Sequence, residues 1–405
     1  MTDQCIIVGA SHAGSQLALS LRQNGWKSEI VLIGAERYFP YHRPPLSKDF
    51  LNNKKTIEQL YIRNPDLYES NDITVRLDSC VSRIDRENAC IELDDGELLE
   101  YGKLALCMGA RVREIPIPGA DLEGVHYLRN VDDIERIQQD LIHAKNAVII
   151  GAGYIGLETA ASLKKLGIEV SILETSDRVL QRVTSPEVSA FFTRIHQEEG
   201  VDIQTGSQVQ EILGSGRVEA ILCEDGAQYE ADLVIVGIGV IPNTELAEKA
   251  GLEVDNGIVV NELAVTSDPD IVAAGDITNH PNLFYGGNVR LESVHNAMEQ
   301  SKTAAATLCG KREPFDSLPW FWSDQYDLKL QIAGLNEGYE EVIIRGNPEE
   351  GRSLTAFYLK EKRLIAADCI NRPRDFMFSK RLIESKKQLD SRQLKDESVE
   401  LKTLL

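Results

Sequence analysis

A glycine-rich turn between an apolar strand and a helix restricts the fold of this chain more than any other feature. Residues 147–150 form the strand, Gly151-Ala152-Gly153-Tyr154-Ile155-Gly156 form the turn, and a helical pattern follows over residues 157–166. The first glycine of such a turn permits the bend, the second lets the backbone approach a diphosphate, and the third lets the helix pack on the strand. Free N–H groups at the helix N-terminus then favour an anion. The segment predicts a dinucleotide-binding βαβ unit.

An acidic residue completes this unit. The second strand ends at Glu174, which lies eighteen residues beyond Gly156. A carboxylate there accepts hydrogen bonds from ribose hydroxyls and repels a 2′-phosphate. The next residues are Thr175 and Ser176 rather than arginine, which favours NADH; Arg178 is close enough to keep NADPH as an alternative.

The N-terminal part of the chain contains a second, less regular version of the unit. Residues 5–8 form its strand, Gly9-Ala10-Ser11-His12-Ala13-Gly14 its turn, and residues 15–21 its helix. Ser11 replaces the second glycine, but serine is small enough to allow a diphosphate to approach. Glu36, twenty-two residues beyond the turn, can hold an adenosine ribose.

The two halves remain similar beyond their turns. A hairpin signal at Asp95-Gly96 precedes an apolar strand at 104–107, and one at Asp225-Gly226 precedes a strand at 233–236. This internal repeat predicts an α/β fold with two Rossmann-like dinucleotide-binding domains.

The chain changes character beyond Pro319. Aromatic residues cluster at 320–322, and short strands are indicated at 342–344 and 354–359. Residues 379–405 are rich in charged side chains with helical spacing. We predict a small α+β C-terminal domain here.

Composition excludes several classes of protein. The net charge of −21 disfavours binding to nucleic acid or to anionic membranes. No apolar run reaches the roughly 18–20 residues of a membrane span. The segment from Met1 to Gln4 lacks the basic region of a signal peptide. We therefore expect a cytoplasmic protein with neither of those partners.

The cysteines exclude further chemistry, because no two of the seven lie within nine residues of each other. This spacing rules out a C-x-x-C redox motif and the usual zinc ligand pattern, so we expect no metal site. The cysteines are Cys5, Cys80, Cys90, Cys107, Cys223, Cys309 and Cys369.

Three further segments, at 40–48, 239–243 and 319–325, carry a resemblance to a known family. Together with the two glycine turns they are similar to the oxygenase-coupled NADH:ferredoxin reductases. That putidaredoxin reductase-like group belongs to the glutathione-reductase-like two-dinucleotide flavoproteins. The resemblance covers nearly the whole chain.

The resemblance implies a domain organisation and two cofactors. An FAD-binding domain of residues 1–113 and 243–318 is interrupted by an NAD-binding domain of residues 114–242. Residues 319–405 form a C-terminal interface domain. The first glycine turn is thereby assigned to FAD and the second to NADH.

The resemblance also implies catalytic residues. It places Arg43 and Lys48 beside the flavin, with Lys48 near the reactive ring, and Glu158 near the nicotinamide within reach of Lys48. Trp320 packs near the ring, and Asp276 contacts the ribityl chain. Ordinary alternatives are surface charges for Arg43 and Lys48, a helix-surface acid for Glu158, a helix N-cap for Asp276 and a core position for Trp320.

The resemblance implies further cofactor contacts from a helix that opens at residues 292–295. Its N-terminus would face the flavin and stabilise the anionic reduced form, with His295 lining the ring in no assigned proton-transfer role. The complete set of predicted cofactor-binding residues is Gly9, Ser11, His12, Ala13, Gly14, Glu36, Arg43, Lys48, Gly109, Gly151, Gly153, Tyr154, Ile155, Gly156, Glu158, Glu174, Gly239, Gly275, Asp276, Val294 and His295.

The missing cysteines indicate where the electrons go. Disulfide reductases of this superfamily carry a cysteine pair against the flavin, and oxidase or peroxidase relatives carry one cysteine there, but residues 41–48 contain none. Electrons should therefore leave for an external acceptor, most simply one at a time to an iron–sulfur protein. The resemblance implies that this carrier is a [2Fe–2S] ferredoxin that supplies an oxygenase or a cytochrome P450. The alternatives are a rubredoxin as carrier, an NADH oxidase or peroxidase, and a non-enzymatic flavoprotein similar to the apoptosis-inducing factor.

Two basic stretches in this acidic chain are candidate docking sites for an acidic ferredoxin. Residues 42–55 carry a net charge of +3, and residues 371–388 carry +4. The alternative is that each stretch is only a solvated face.

Overall fold

The computed structural model describes residues 3–405, so the expectation about the N-terminus rests partly on Met1 and Thr2, which lie outside the described residues. Three short 3₁₀ turns lie at Pro44–Ser47, Glu58–Leu60 and Leu401–Leu404. The helices are α1 (His12–Gln23), α2 (Asp66–Ser70), α3 (Val131–Leu141), α4 (Tyr154–Lys165), α5 (Pro186–Glu198), α6 (Glu245–Lys249), α7 (Val294–Leu308), α8 (Pro373–Ser385) and α9 (Ser391–Lys395).

The strands are mostly short. They are β1 (Cys5–Val8), β2 (Ile30–Ile33), β3 (Ile73–Arg76), β4 (Val81–Asp85), β5 (Cys90–Leu93), β6 (Leu98–Glu100), β7 (Lys103–Leu106), β8 (Ala110–Val112), β9 (Val125–Tyr127), β10 (Asn146–Ile150), β11 (Glu169–Glu174), β12 (Val201–Thr205), β13 (Val209–Gly214), β14 (Val218–Cys223), β15 (Gln228–Glu230), β16 (Leu233–Val236), β17 (Val240–Pro242), β18 (Ile258–Val259), β19 (Ile271–Ala273), β20 (Thr278–Pro281), β21 (Asn288–Val289), β22 (Trp320–Gln325), β23 (Leu328–Gly334), β24 (Glu341–Arg345), β25 (Leu354–Lys360) and β26 (Arg363–Ile370).

The chain packs into two compact units, each made of separated segments. The first unit comprises residues 3–42, 57–111 and 241–319, and the second comprises residues 43–56, 112–240 and 320–405.

No helix within residues 3–405 is long and apolar enough to cross a membrane.

A five-stranded parallel sheet with the order β19-β7-β1-β2-β3 forms the core of the first unit. All four residues of β1 are buried, as expected for a central parallel strand covered on both faces. The helices α1 and α7 pack against each other, and α7 also contacts β19. Because β1 lies between β7 and β2, its carboxyl end is a point where the chain leaves the sheet to both sides, which is where such sheets bind ligands.

The second unit repeats this arrangement. Its parallel sheet has the order β12-β11-β10-β16-β9, with β10 in the position of β1. The antiparallel meanders β4-β5-β6 and β13-β14-β15 occupy the same place along the chain in the two halves. The internal repeat and the predicted α/β class are therefore confirmed.

Residues 320–405 form an antiparallel sheet with the order β22-β23-β26-β25-β24, and α8 packs against β23 and β26. The predicted α+β character is confirmed, but a helical pattern over residues 379–405 is wrong in its bounds. The helix α8 begins earlier, with Pro373 in its first turn, and ends where Lys386 adopts a left-handed conformation with φ of 52°. The following residues bridge to a strand through Arg363 and Gln388, so the chain there is extended rather than helical.

A buried carboxylate lies in this C-terminal sheet. Asp368 is 1% exposed, and its Oδ2 accepts hydrogen bonds of 2.5 Å from the Thr184 and Tyr358 hydroxyls. Burial raises the pKa of Asp368 to about 6, although the two hydrogen bonds act in the opposite direction. The ionised group therefore destabilises the folded protein above that pH.

We expect the Asp368→Asn variant to be more stable than the wild type at pH 8, by roughly 3 kcal/mol for a shift of about two units. The folded carboxyl is protonated below about pH 6, whereas the unfolded one ionises above its ordinary value of 3.8. Stability of the wild type should thus rise as the pH falls from 6 towards 4, and the advantage of the variant should vanish. Urea unfolding across this pH range measures the free energy of unfolding, with exposed Asp202→Asn as the control. If the stability of Asp368→Asn depended on pH as that of the wild type does, the prediction would be contradicted.

Candidate dinucleotide sites

The turn after β10 is closed at two of its glycines and open at the third. Gly151 has φ of +105°, and a Cβ on Gly156 would overlap the carbonyl oxygen of Gly151. Gly153 is the N-cap residue of α4. Apart from Gly153 and its two chain neighbours, no heavy atom of the described chain lies within 4 Å of where its Cβ would be. Open space thus remains in front of the helix N-terminus, which fits a dinucleotide diphosphate.

The carboxylate of Glu174 is fixed beside this turn. Its Oε2 accepts a 2.7 Å hydrogen bond from the Ala152 N–H, and its Oε1 accepts one of 2.8 Å from the Ser176 N–H. Arg178 points elsewhere, because its Nη1 donates to the Ser189 hydroxyl at 2.5 Å. The geometry favours a ribose with a free 2′-hydroxyl over a 2′-phosphate.

The turn after β1 is built in the same way. Gly9 has φ of +112°, its Cβ would overlap the carbonyl oxygen of Cys107, and a Cβ on Gly14 would overlap the carbonyl oxygen of Gly9. Ser11 has φ of −131°, a conformation that any residue adopts, so its replacement of the second glycine creates no backbone strain. This turn also fits a dinucleotide diphosphate.

Three elements of the first unit converge beside that turn. A Cβ on Gly275, which follows β19, would lie 3.2 Å from Ala13 at the start of α1 and 3.7 Å from Ala297 of α7. The Gln300 side chain accepts a 2.9 Å hydrogen bond from the Gly275 N–H. Asp276 lies in a turn that leads into β20, so it is not a helix N-cap.

The acid and the helix start predicted for the first unit have defined partners. Glu36 accepts a hydrogen bond from the Tyr41 hydroxyl. Val294 is the first residue of α7, and the imidazole of His295 lies 2.8 Å from the Ser317 hydroxyl.

In the second unit, Glu158 lies at the centre of a buried polar cluster. It is 3% exposed, and its Oε2 accepts hydrogen bonds from Lys48 Nζ at 2.5 Å and from the Ser47 hydroxyl at 2.7 Å. Its Oε1 accepts a 2.7 Å bond from the Ser323 hydroxyl. Glu158 is therefore not a helix-surface acid, and Lys48, at 19% exposed, is not a free surface charge.

The remaining predicted residues of the second unit have mixed surroundings. Arg43 donates to the carbonyl oxygen of Arg129 at 2.8 Å. Trp320 is partly exposed, with its ring centroid 5.5 Å from Trp322 and 5.7 Å from Phe376, and Lys380 Nζ lies 5.9 Å from the Trp320 ring. Trp320 is thus neither fully buried nor isolated at the surface.

The structure distributes the predicted residues over both units. The first unit holds Gly9, Ser11, His12, Ala13, Gly14, Glu36, Gly109, Gly275, Asp276, Val294 and His295. The second holds Arg43, Lys48, Gly151, Gly153, Tyr154, Ile155, Gly156, Glu158, Glu174, Gly239 and Trp320.

Several polar partners of these residues were not predicted. Ser47 and Ser323 both donate to Glu158, and Gln300 holds Gly275. One available signal was the pair Ser323 and Gln325, which places two polar residues on the same face of a strand that begins with three aromatic residues.

The cysteines of the described chain form no disulfide. All seven lie in the described part of the chain and are free thiols. Burial raises the pKa values of the Cys5, Cys107 and Cys369 thiols, so these groups are not thiolates at neutral pH.

Two glycine turns at the carboxyl ends of two parallel sheets, each with an acid near the end of the next strand, define an oxidoreductase with two dinucleotide-binding domains. A family model described as pyridine nucleotide-disulphide oxidoreductase matches residues 3–301, and one described as reductase C-terminal matches residues 320–405. The chain belongs to the pyridine nucleotide-disulphide oxidoreductase family and carries the reductase C-terminal domain.

Individual relatives agree with the predicted resemblance, which is confirmed. The chain is 45% identical to putidaredoxin reductase of Pseudomonas putida, covering 100% of this chain and 97% of that protein. It is 42% identical to a ferredoxin–NAD(P)+ reductase of Sphingomonas sp., covering 95% and 94%. Among solved structures it matches a chain of the covalent putidaredoxin reductase–putidaredoxin complex, with a TM-score of 0.96, 45% identity and coverage of 99% and 98%.

Proposed function

We propose that this protein is an FAD-dependent NADH:ferredoxin reductase whose [2Fe–2S] ferredoxin supplies an oxygenase or a cytochrome P450. The observation that carries the proposal is the presence of two complete dinucleotide turns in a chain whose cysteines are all unpaired. The similarity to reductases named for ferredoxin-type carriers supports the same conclusion.

The two turns divide the cofactors between them. The turn at residues 9–14, with Glu36 and Asp276, holds FAD, and the turn at residues 151–156, with Glu174, holds NADH. When bound, the flavin accepts a hydride from NADH and releases the two electrons singly to the carrier.

The protein's own residues position the two cofactors and supply charge beside them. We assign Lys48, Glu158 and Trp320 to the catalytic site. The ion pair between Lys48 and Glu158 compensates the buried charge of Glu158 and the partly buried charge of Lys48, because each loses hydration in this cluster. The N-terminus of α7 supplies a partial positive charge, which favours an anionic reduced cofactor.

The domain limits and the location of the protein are part of the proposal. The FAD-binding domain comprises residues 1–113 and 243–318, the NAD-binding domain residues 114–242, and the interface domain residues 319–405. The protein acts in the cytoplasm, where NADH and a ferredoxin are both available.

Replacing Glu174 tests the choice of nicotinamide cofactor. The wild type should use NADH much better than NADPH, and Glu174→Ala should narrow the ratio of the two kcat/KM values about tenfold, since a charged hydrogen-bond acceptor is lost. Arg178→Ala is the control, because Arg178 donates to Ser189 and should leave the ratio nearly unchanged. A wild type that prefers NADPH would show that Glu174 does not select NADH.

An acceptor comparison tests the proposed function. Purified protein should release FAD rather than FMN, and its NADH-dependent turnover should be fastest with a [2Fe–2S] ferredoxin. Rubredoxin, oxygen and peroxide are the competing acceptors. Faster turnover with rubredoxin would change the carrier, whereas preference for oxygen or peroxide would identify an oxidase or peroxidase. If NADH reduced the flavin and none of these acceptors reoxidised it, a non-enzymatic role would be favoured.

A further inference from the structure

Glu158 lies at one end of a chain of hydrogen bonds that runs away from Lys48 through the second unit. The Ser323 hydroxyl donates to Glu158 Oε1 at 2.7 Å, and Gln325 Nε2 donates to Ser323 Oγ at 3.1 Å. Gln325 Oε1 lies 2.8 Å from His196 Nε2, and His196 Nδ1 lies 3.1 Å from the Tyr326 hydroxyl. The chain joins α4, β22 and α5.

The three central members of this chain are shielded from water. Ser323 and Gln325 are each 1% exposed, and His196 is 0% exposed. Ser323 and Gln325 alternate along β22, so both side chains point to the same face of the strand. Water therefore does not compete for these hydrogen bonds, and a missing partner would leave a buried polar group unsatisfied.

The chemistry of the side chains fixes the direction of every bond. The Gln325 amide nitrogen can only donate, so the Ser323 hydroxyl must donate onward to Glu158. The Gln325 carbonyl oxygen can only accept, so His196 carries its proton on Nε2 and accepts at Nδ1 from Tyr326. Burial lowers the pKa of His196 to about 4, which keeps the imidazole neutral at physiological pH.

An amide side chain does not relay protons, so this chain does not conduct them. Its effect is on orientation. With Ser323 bound at Oε1, the carboxylate of Glu158 keeps Oε2 directed at Lys48 and Ser47.

We propose that Ser323, Gln325 and His196 are positioning residues for the reductase, which set the rotation of the Glu158 carboxylate during reduction of the flavin by NADH. The inference rests on the proposed function, because that function gives Glu158 its place beside the nicotinamide. It also assigns a purpose to the serine and glutamine of the segment at residues 319–325, beyond the aromatic packing of Trp320.

Two variants break the chain in different ways. Ser323→Ala removes the donor to Glu158. Gln325→Met nearly keeps the size of the side chain but removes the amide donor that directs the Ser323 hydroxyl towards Glu158. The matched control is Ser379→Ala, which removes a buried hydroxyl from α8 in the same unit.

The measurement is anaerobic stopped-flow reduction of the bound flavin at increasing NADH concentrations. It separates the limiting rate constant from the NADH dissociation constant. We expect both variants to lose about tenfold in the limiting rate constant, as for the loss of a hydrogen bond to a charged group, with less than a threefold change in the dissociation constant. Flavin content should match that of Ser379→Ala. The urea midpoints of both variants should fall, because each leaves a buried polar group without a partner, so the rate constants are compared per bound flavin.

Wild-type limiting rates in both variants would overturn the positioning role. So would rates that fall only in proportion to flavin content, or an equal fall in Ser379→Ala, since each indicates general destabilisation. Should Ser323→Ala lose its flavin, the nearly isosteric Gln325→Met decides. Failure of the proposed function looks different, because it appears after this step, as a wild-type flavin that NADH reduces but that ferredoxin does not reoxidise.

Discussion

The Gly153→Val variant is expected to lose more than about a hundredfold in the rate of flavin reduction by NADH, while it folds and retains FAD. Gly153 has φ of −78°, which any residue adopts, and among residues 3–405 no heavy atom approaches its Cβ position within 4 Å. The folded protein therefore has room for the valine side chain. That side chain would occupy the space that the NADH diphosphate needs.

Anaerobic stopped-flow mixing with NADH measures this loss, and reduction by dithionite shows that the flavin remains competent. Gly156→Ala is a contrasting variant, because its Cβ would overlap the Gly151 carbonyl oxygen and should lower stability instead. If the flavin of Gly153→Val were reduced by NADH at the wild-type rate, the space in front of α4 would not hold the NADH diphosphate.

Reversing two charges on α8 is expected to raise the KM for ferredoxin at least tenfold at low salt, because the carrier is acidic. Arg374, Met377 and Arg381 are exposed and fall at i, i+3 and i+7 along the helix, so they share one face. Arg372 is a poorer probe, since it pairs with Glu397 at 2.6 Å within the protein. The test is therefore the double variant Arg374→Glu/Arg381→Glu.

The control for that variant is Arg392→Glu, at a side chain that is 90% exposed in the same C-terminal domain. Flavin reduction by NADH should not change in either variant. The ferredoxin rate of the wild type should fall as salt rises past about 0.1 M, where the Debye length is about 10 Å, and the double variant should lose this dependence. If Arg374→Glu/Arg381→Glu and Arg392→Glu had the same KM for ferredoxin, this face of α8 would be a solvated surface that does not bind the carrier.

The two βαβ units could be predicted because their signals are local. Each glycine turn, its flanking strand and its acid lie within about thirty residues of sequence. Gly9 and Gly151 have positive φ, which explains why glycine is needed at both positions. The hairpins at Asp95 and Asp225 follow the same local rule, since Asp-Gly supplies the turn conformation that a hairpin needs.

The surroundings of Glu158 could not be predicted in this way. Ser47 and Ser323 reach it from positions more than one hundred residues away in the chain, and nothing in their local sequence indicates a shared carboxylate. The pairing of Lys48 with Glu158 came from the family resemblance rather than from periodicity or spacing. Non-local polar contacts depend on tertiary packing, which sequence patterns do not encode residue by residue.

Counting charges along the chain has a similar limit. The net charge of residues 371–388 includes Arg372, whose guanidinium is committed to Glu397, and Lys380, which lies over the Trp320 ring. The exposed basic face is therefore smaller than the sequence suggests, and it is centred on Arg374 and Arg381.

The most direct test of the central claim is a single-turnover transfer experiment without oxygen. Protein reduced by one equivalent of NADH is mixed with two equivalents of oxidised [2Fe–2S] ferredoxin, and the flavin and iron–sulfur absorbances are followed separately. The account predicts that the flavin is reoxidised and that two ferredoxins are reduced for each NADH consumed. A flavin that stays reduced in the presence of ferredoxin, but is reoxidised promptly when oxygen is admitted, would contradict it.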